Sequence, residues 1–284
     1  MSFLGQMRYV LGVLECVVNI SEGRALETLA ALAQLAGPDL LDAHCDPDHN
    51  RSVFTLFGTE AIRDITRGAV EVFNIHRHTG QHPRIGIVDV VPFVPLEDST
   101  MAEAIQARND FAQFAANELG IPCFLYGPER TLPEIRKNAF KDLAPDIGPK
   151  NPHPTAGAIC VGARDILIAY NVLLQTTDVS VAKQIAASIR SEHVRALGMT
   201  VNGHAQVSMN LIRPYEVGPA DVYDQIATKA DIDSAELVGL VPSRVLISIN
   251  KSRWQDLGLS IEKTIEWQLA ERNRRWESTG KRES

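Results

Sequence analysis

Ten consecutive residues, Ile85-Gly86-Ile87-Val88-Asp89-Val90-Val91-Pro92-Phe93-Val94, form a strongly apolar run rich in β-branched side chains. Such a run reads as a buried strand. It is fed by a Gly- and Pro-containing loop, Thr79 to Arg84, that carries His82 and Arg84. A titratable pair at the mouth of a rigid strand is a place where chemistry is built. Histidine can both take and give a proton near neutral pH. Taken alone, a His before Pro also fits an ordinary surface loop.

Strand and helix patterns alternate on either side of this run. Val10 to Asn19 reads as a strand and Ala25 to Leu35 as a helix with a Leu26, Leu29, Leu32, Leu35 stripe. Leu40 to His44 and Val53 to Phe57 read as short strands around a polar turn, Asp46 to Arg51. Helices are expected over Thr59 to Ile75 and Thr100 to Leu119, and a strand over Pro122 to Tyr126. Ala144 to Thr155 holds Pro145, Pro149, Pro152 and Pro154 and breaks regular structure. An irregular loop of that length inside a compact protein is usually functional or a linker.

The second half opens with two strands inside Ala158 to Leu174, joined by a turn at Gly162 to Asp165. Asp178 can cap a helix running to about Arg190. Gly198 to Val201 and Ala205 to Ile212 read as strands, Ala220 to Ala230 as a helix, and Ser260 as the cap of a terminal helix. The expected fold class is α+β (an α/β sandwich), as two subdomains that are each a β-sheet covered by helices. The subdomains are expected at 1–176 and 177–284, with a charged tail from Glu271 to Ser284.

A net charge of 28 − 35 = −7 argues against non-specific nucleic-acid binding. The four cysteines are far apart and include no C-x-x-C pair, which fits buried free thiols in a reducing cytoplasm. No apolar run is long enough for a membrane span, and Met1 to Gly12 lacks the pattern of a signal peptide. Met7 could be the natural start. Neither phosphate-loop nor dinucleotide-binding glycine pattern is present. His76-x-His78-x-x-x-His82 and His44-x-Asp46-x-Asp48-His49 superficially resemble ligand clusters but match no strong metal motif, so no metal is expected.

Four segments together carry a resemblance. They are Glu15 to Arg24, Leu41 to His44 continuing through Asp48 to Thr55, Pro145 to Pro149, and the pattern H-x-G-x-H-P-R-x-G-x-x-D-V-x-P-F-x-P from His78 to Pro95. In this order and spacing, from about Leu14 to about Pro242, the chain resembles the formiminotransferase family. That family includes the N-terminal half of the bifunctional formimidoyltransferase-cyclodeaminase. The resemblance implies two αβ subdomains with a substrate tunnel between them. It implies transfer of a formimidoyl group from N-formimidoyl-L-glutamate to tetrahydrofolate, a co-substrate, in histidine degradation and one-carbon metabolism. It further implies a cytoplasmic enzyme, a possible homodimer, and small-molecule substrates without nucleic acid or membrane. At 284 residues the chain has no room for the cyclodeaminase half. Transfer of formyl rather than formimidoyl, and a non-catalytic folate-binding relative, stay open.

By the same resemblance His82 occupies the catalytic histidine position. Gly148, Pro149, Lys150, Asn151, Pro152, His153, Pro154, Thr155, Ala156 and Gly157 match the segment that lines the folate site. Thr155-Ala156 stands where the bifunctional relatives carry Ser-Trp, which removes a stacking aromatic. Arg84 and Arg51 could each hold a carboxylate bidentately or form a surface salt bridge. Asp42 either orients His82 or holds the developing cationic amidine, or serves only as a strand-end turn residue. Asn19 either binds substrate or caps the turn after its strand.

Overall fold

The computed structural model describes residues 14–80, 83–96 and 99–279, with the backbone alone for 274–279. In chain order the strands are β1 (Leu14–Ile20), β2 (Leu40–Asp46), β3 (Arg51–Phe57), β4 (Val88–Pro95), β5 (Cys123–Tyr126), β6 (Ile159–Ala163), β7 (Ile168–Leu174), β8 (Val194–Val201), β9 (His204–Leu211) and β10 (Ile232–Val238). The helices are α1 (Leu26–Leu35), α2 (Ala61–Val72), α3 (Met101–Leu119), α4 (Leu132–Asn138), α5 (Val179–Ile189), α6 (Pro219–Ala227), α7 (Ser243–Ile247) and α8 (Ile265–Thr279).

The strands form a six-stranded sheet, β2-β3-β1-β4-β6-β5, and a four-stranded sheet, β10-β7-β9-β8. The fold is the expected α+β one, two sheets covered by helices. The described chain packs as two compact units. One comprises residues 14–19, Leu56–Arg77 and Pro83–Asp165; the other comprises Ile20–Thr55, residues 78–80 and residues 166–279.

In the first unit β6 pairs in parallel with β4, Val90 opposite Cys160, and with β5, Cys123 opposite Ile159. Parallel strands covered on both faces read as unbroken apolar runs, and β4 is buried from Val88 to Val94. Phe93 meets Phe111 of α3 with ring centroids 6.0 Å apart. A smaller core cluster, holding Val90, Phe124, Tyr126, Ile135, Ala158 and Cys160, includes Ile135 of α4. Each such side chain contributes roughly 1.5–3 kcal/mol when fully buried.

In the second unit the four-stranded sheet is antiparallel, with Tyr170 opposite Met209 and Ala196 opposite Met209 on its other side. Along β7 burial alternates: Ile168, Tyr170, Val172 and Leu174 are buried and the residues between are not. That period of two belongs to a sheet with one face in the core. Asp178 caps α5 by accepting from the Ser180 N–H at 2.8 Å.

Several expectations are corrected. The regular ladder of β4 begins at Val88 rather than Ile85, because Ile85 to Ile87 bond to residues 156–158 instead. The helix expected to reach Ile75 ends at Val72, and the Ile75 N–H is drawn to the Thr155 carbonyl at 2.8 Å. The terminal helix begins at Ile265, after a 3₁₀ turn at Ile261–Lys263. Thr264 rather than Ser260 receives the Trp267 N–H, at 3.3 Å. α4, α7 and β10 are elements that periodicity did not reveal. The first residues of the expected Val10 strand and the end of the charged tail lie outside the described residues.

Candidate active site

The proline-rich loop is pinned within the first unit at its C-terminal end. His153 and Gly157 exchange backbone hydrogen bonds of 2.8 and 3.0 Å, closing a tight turn. Inside it the His153 Nδ1 accepts from the Ala156 N–H at 3.0 Å and the Thr155 N–H at 3.3 Å. The turn then docks on the chain that leads into β4. Ile87 N–H donates to the Ala156 carbonyl and Ala158 N–H to the Ile85 carbonyl, both at 2.9 Å. Gly157 has φ +75, and a Cβ there would lie 2.2 Å from the Ile85 carbonyl oxygen, so only glycine fits. His76 adds a further tie, its Nε2 lying 2.8 Å from the Pro154 carbonyl oxygen.

Gly148, Pro149, Lys150, Asn151 and Pro152 are exposed. Ala156 is only 2% exposed and so is packed inside the unit.

Beside this turn stands a charge cluster. Asp89, buried at the start of β4, accepts from the Ile85 N–H at 2.8 Å and from Arg136 Nη1 of α4 at 2.8 Å. Its second oxygen takes Arg136 Nη2. Arg84 lies within electrostatic reach of the same carboxylate. Burial pulls its pKa down, the Asp89 charge opposes that, and the like charge of Arg136 adds to it. Arg84 thus directly precedes the stretch, Ile85 to Ile87, on which the turn docks. Asn19, near the end of β1, donates from Nδ2 to the Val17 carbonyl at 3.3 Å.

On β1, Glu15 lies on the same side of the strand as Val17 and Asn19, by the alternation of strand side chains. It is 5% exposed. Burial raises its carboxyl to about 7, an effect the Arg164 charge only partly offsets. The sequence reading missed this group, although an acid within Leu14 to Val18 was a visible signal.

The second unit holds Asp42 and Arg51. Asp42 lies within β2 rather than at its end. Burial pushes its carboxyl above the ordinary range, with His44 and Lys263 pulling the other way. Arg51 opens β3 and is half-buried. The turn between those strands is locked by its own polar groups. Asp46 Oδ1 accepts from the Asp48 and His49 N–H groups at 2.9 Å each, and Oδ2 meets His49 Nδ1. Asn50 is 4% exposed and has φ +50. Its carboxamide reaches His78 and Thr79, the residues just before Gly80. Asp46, His49, Asn50 and His78 thus spend their polar atoms on holding chain segments. His82 itself lies outside the described residues.

Among the described residues no helix is long and apolar enough to cross a membrane.

Residues 13–164 match the family model described as the formiminotransferase domain, N-terminal subdomain. The chain is 36% identical over 273 residues to a glutamate formimidoyltransferase of Streptococcus pyogenes serotype M1, covering 84% of this chain and 91% of that protein. It is 34% identical over 299 residues to a glutamate formimidoyltransferase of Thermoplasma acidophilum, covering 90% and 98%. It is 33% identical over 277 residues to the formimidoyltransferase-cyclodeaminase of Sus scrofa, covering 83% of this chain and 51% of that protein, about half of the longer relative. These likenesses define a group transferase. The chain belongs to the formiminotransferase family.

Proposed function

We propose that this chain is a glutamate formimidoyltransferase that moves the formimidoyl group of N-formimidoyl-L-glutamate to N5 of tetrahydrofolate. The observation that carries the reading is identity of 36% to a protein of that name across 91% of its length. Folate as acceptor is supported by the match of Gly148 to Gly157 to the segment expected to line a folate site.

The chemistry needs one proton moved. The N5 lone pair attacks the amidine carbon and a tetrahedral intermediate forms. The bond from that carbon to the glutamate nitrogen breaks. The N5 proton must leave and the departing amine must gain one, so a single group can serve as base and then as acid. His82 is assigned that role. Arg84 and Arg51 are assigned to substrate carboxylates, which planar guanidinium groups bind bidentately. Asp42, kept from water and near cationic side chains, is assigned to the amidine end of the donor. Asn19 is assigned a polar contact to substrate.

On this reading the chain is a cytoplasmic enzyme of histidine degradation and works as a homodimer. Its four free cysteines fit a reducing compartment, and light scattering tests the dimer.

A coupled assay tests the reaction, by following acid conversion of 5-formimidoyl-tetrahydrofolate to 5,10-methenyl-tetrahydrofolate through its absorbance. The expected result is turnover by the wild type and a loss of roughly 10²–10⁴-fold in His82→Ala. A folded wild type silent with both N-formimidoyl- and N-formyl-glutamate would refute the reading. Turnover with the formyl donor alone would make it a formyltransferase.

A further inference from the structure

We propose that Asp89 and Arg136 are positioning residues that set the Arg84 guanidinium for a substrate carboxylate; the proposal rests on the transferase reading above.

A carboxylate buried among the valines that open β4 is costly. Burying it unpaired costs several kcal/mol, and pairing at best offsets that. The Asp89 side chain is 1% exposed, and its partner Arg136 is 17% exposed. A hydrophobic residue of similar size would serve stability as well, so the pair calls for another reason.

What the pair holds supplies one. Asp89 Oδ1 takes the backbone N–H of Ile85, the residue that follows Arg84. The same short stretch, Ile85 to Ile87, carries the docked turn of Ala156, Gly157 and Ala158. Fixing Ile85 therefore fixes both Arg84 and that turn. Arg136 is delivered by α4, whose start is fixed by a reciprocal cap: the Thr131 hydroxyl accepts from the Glu134 N–H, and Glu134 accepts from the Thr131 N–H. Its planar fork meets both Asp89 oxygens, a geometry that lysine cannot reproduce.

The charges add a second function. Arg136 is paired with this carboxylate, and Arg84 is a second guanidinium within its electrostatic reach. Without Asp89 they would repel each other. With it, this trio keeps one formal positive charge, which an incoming carboxylate can balance. The donor and the glutamyl tail of folate both bring carboxylates, and kinetics separates them.

The experiment is steady-state kinetics on the full chain, varying each substrate with the other saturating. The variants are Arg136→Lys, Asp89→Asn, Arg84→Ala and the double variant Arg84→Ala/Arg136→Lys. Arg136→Lys is expected to raise KM for one of the two carboxylate substrates about tenfold, a change of about 1.4 kcal/mol. Its kcat should change less than about threefold. Asp89→Asn keeps an acceptor for Ile85 but loses the charge, and should raise the KM of the same substrate; it also serves if Arg136→Lys does not fold. In the Arg84→Ala background Arg136→Lys should raise KM no further, because its effect passes through Arg84. Unchanged KM for both substrates with a fall only in kcat or folded fraction would reduce the pair to a structural brace and overturn the proposal. An equal KM rise with and without Arg84 would overturn it too. A silent wild type would instead refute the transferase reading, and the proposal with it.

Discussion

The Asn50 carboxamide donates to the Thr79 carbonyl at 2.8 Å while its oxygen accepts from the Gly23 N–H at 2.9 Å. Those two partners fix which end of the amide is which. The second Asn50 N–H then points at His78 Nδ1, 2.8 Å away, and that nitrogen must be the unprotonated acceptor. One buried side chain thereby joins the segment leading into α1, the β2–β3 turn and residues 78–79. Asn50→Asp would set an oxygen against the Thr79 carbonyl. It is expected to cost about 1–3 kcal/mol, and kcat should fall with it. Asn50→Gly tolerates the left-handed backbone at φ +50 and so removes the hydrogen bonds without adding backbone strain. Urea unfolding of both variants decides the point: equal stability to wild type in both would show that the junction carries no weight.

Gly157 and Gly203 offer a matched pair. Both have left-handed φ, +75 and +77, but a Cβ at Gly157 meets the Ile85 oxygen at 2.2 Å, while one at Gly203 meets nothing within 4 Å. Gly203→Ala is expected to cost only the backbone strain, about 1–2 kcal/mol. Gly157→Ala should cost clearly more, and should raise KM for tetrahydrofolate because the turn can no longer dock. Denaturant midpoints compare the two, and equal costs would remove the close approach as a constraint.

Glu15 gives stability a pH dependence of definite sign. Its carboxyl titrates at about 7 in the fold against 4.5 ordinarily. Between those values the folded chain holds a proton that the unfolded chain has released. Stability is therefore full below about 4.5, falls as pH rises towards 7, and stays lowered above it. The loss is on the order of 3 kcal/mol. Glu15→Gln cannot ionise. It should match wild type at pH near 4.5 and exceed it by that order at pH near 8. Urea midpoints across the range test this, and a gap that does not widen with pH would mean that Glu15 is charged in the fold.

Long elements were legible because their side chains repeat. The helix from Thr100 carries both an apolar stripe and a Thr-x-x-Glu cap, and the structure uses both. The same cap signature, Thr131 to Glu134, opens α4, but seven residues give too few turns for a stripe. β10 was missed because Asp233, Ser234 and Glu236 make it polar, as an outer strand with a single neighbour allows. In the candidate site, Arg84 could be named from its residue type, and the segment from Gly148 to Gly157 from the family resemblance. Their docking could not, because it runs through backbone groups of Ile85, Ile87, Ala156 and Ala158 that any residue possesses. Asp89 was the readable clue, one acid in an apolar run, and its partner Arg136 comes from a helix that periodicity hid.

The cysteines described above make the molecule its own conformational counter. Cys16, Cys123 and Cys160 are buried and Cys45 is half-buried. Burial also pushes the Cys16 and Cys123 thiols up, away from the thiolate that reacts. A maleimide dye should therefore find a single reachable sulfur, Cys45, on the folded chain, and all four on an opened one. The labelling ratio then measures how often the protein breathes, with no residue added or changed.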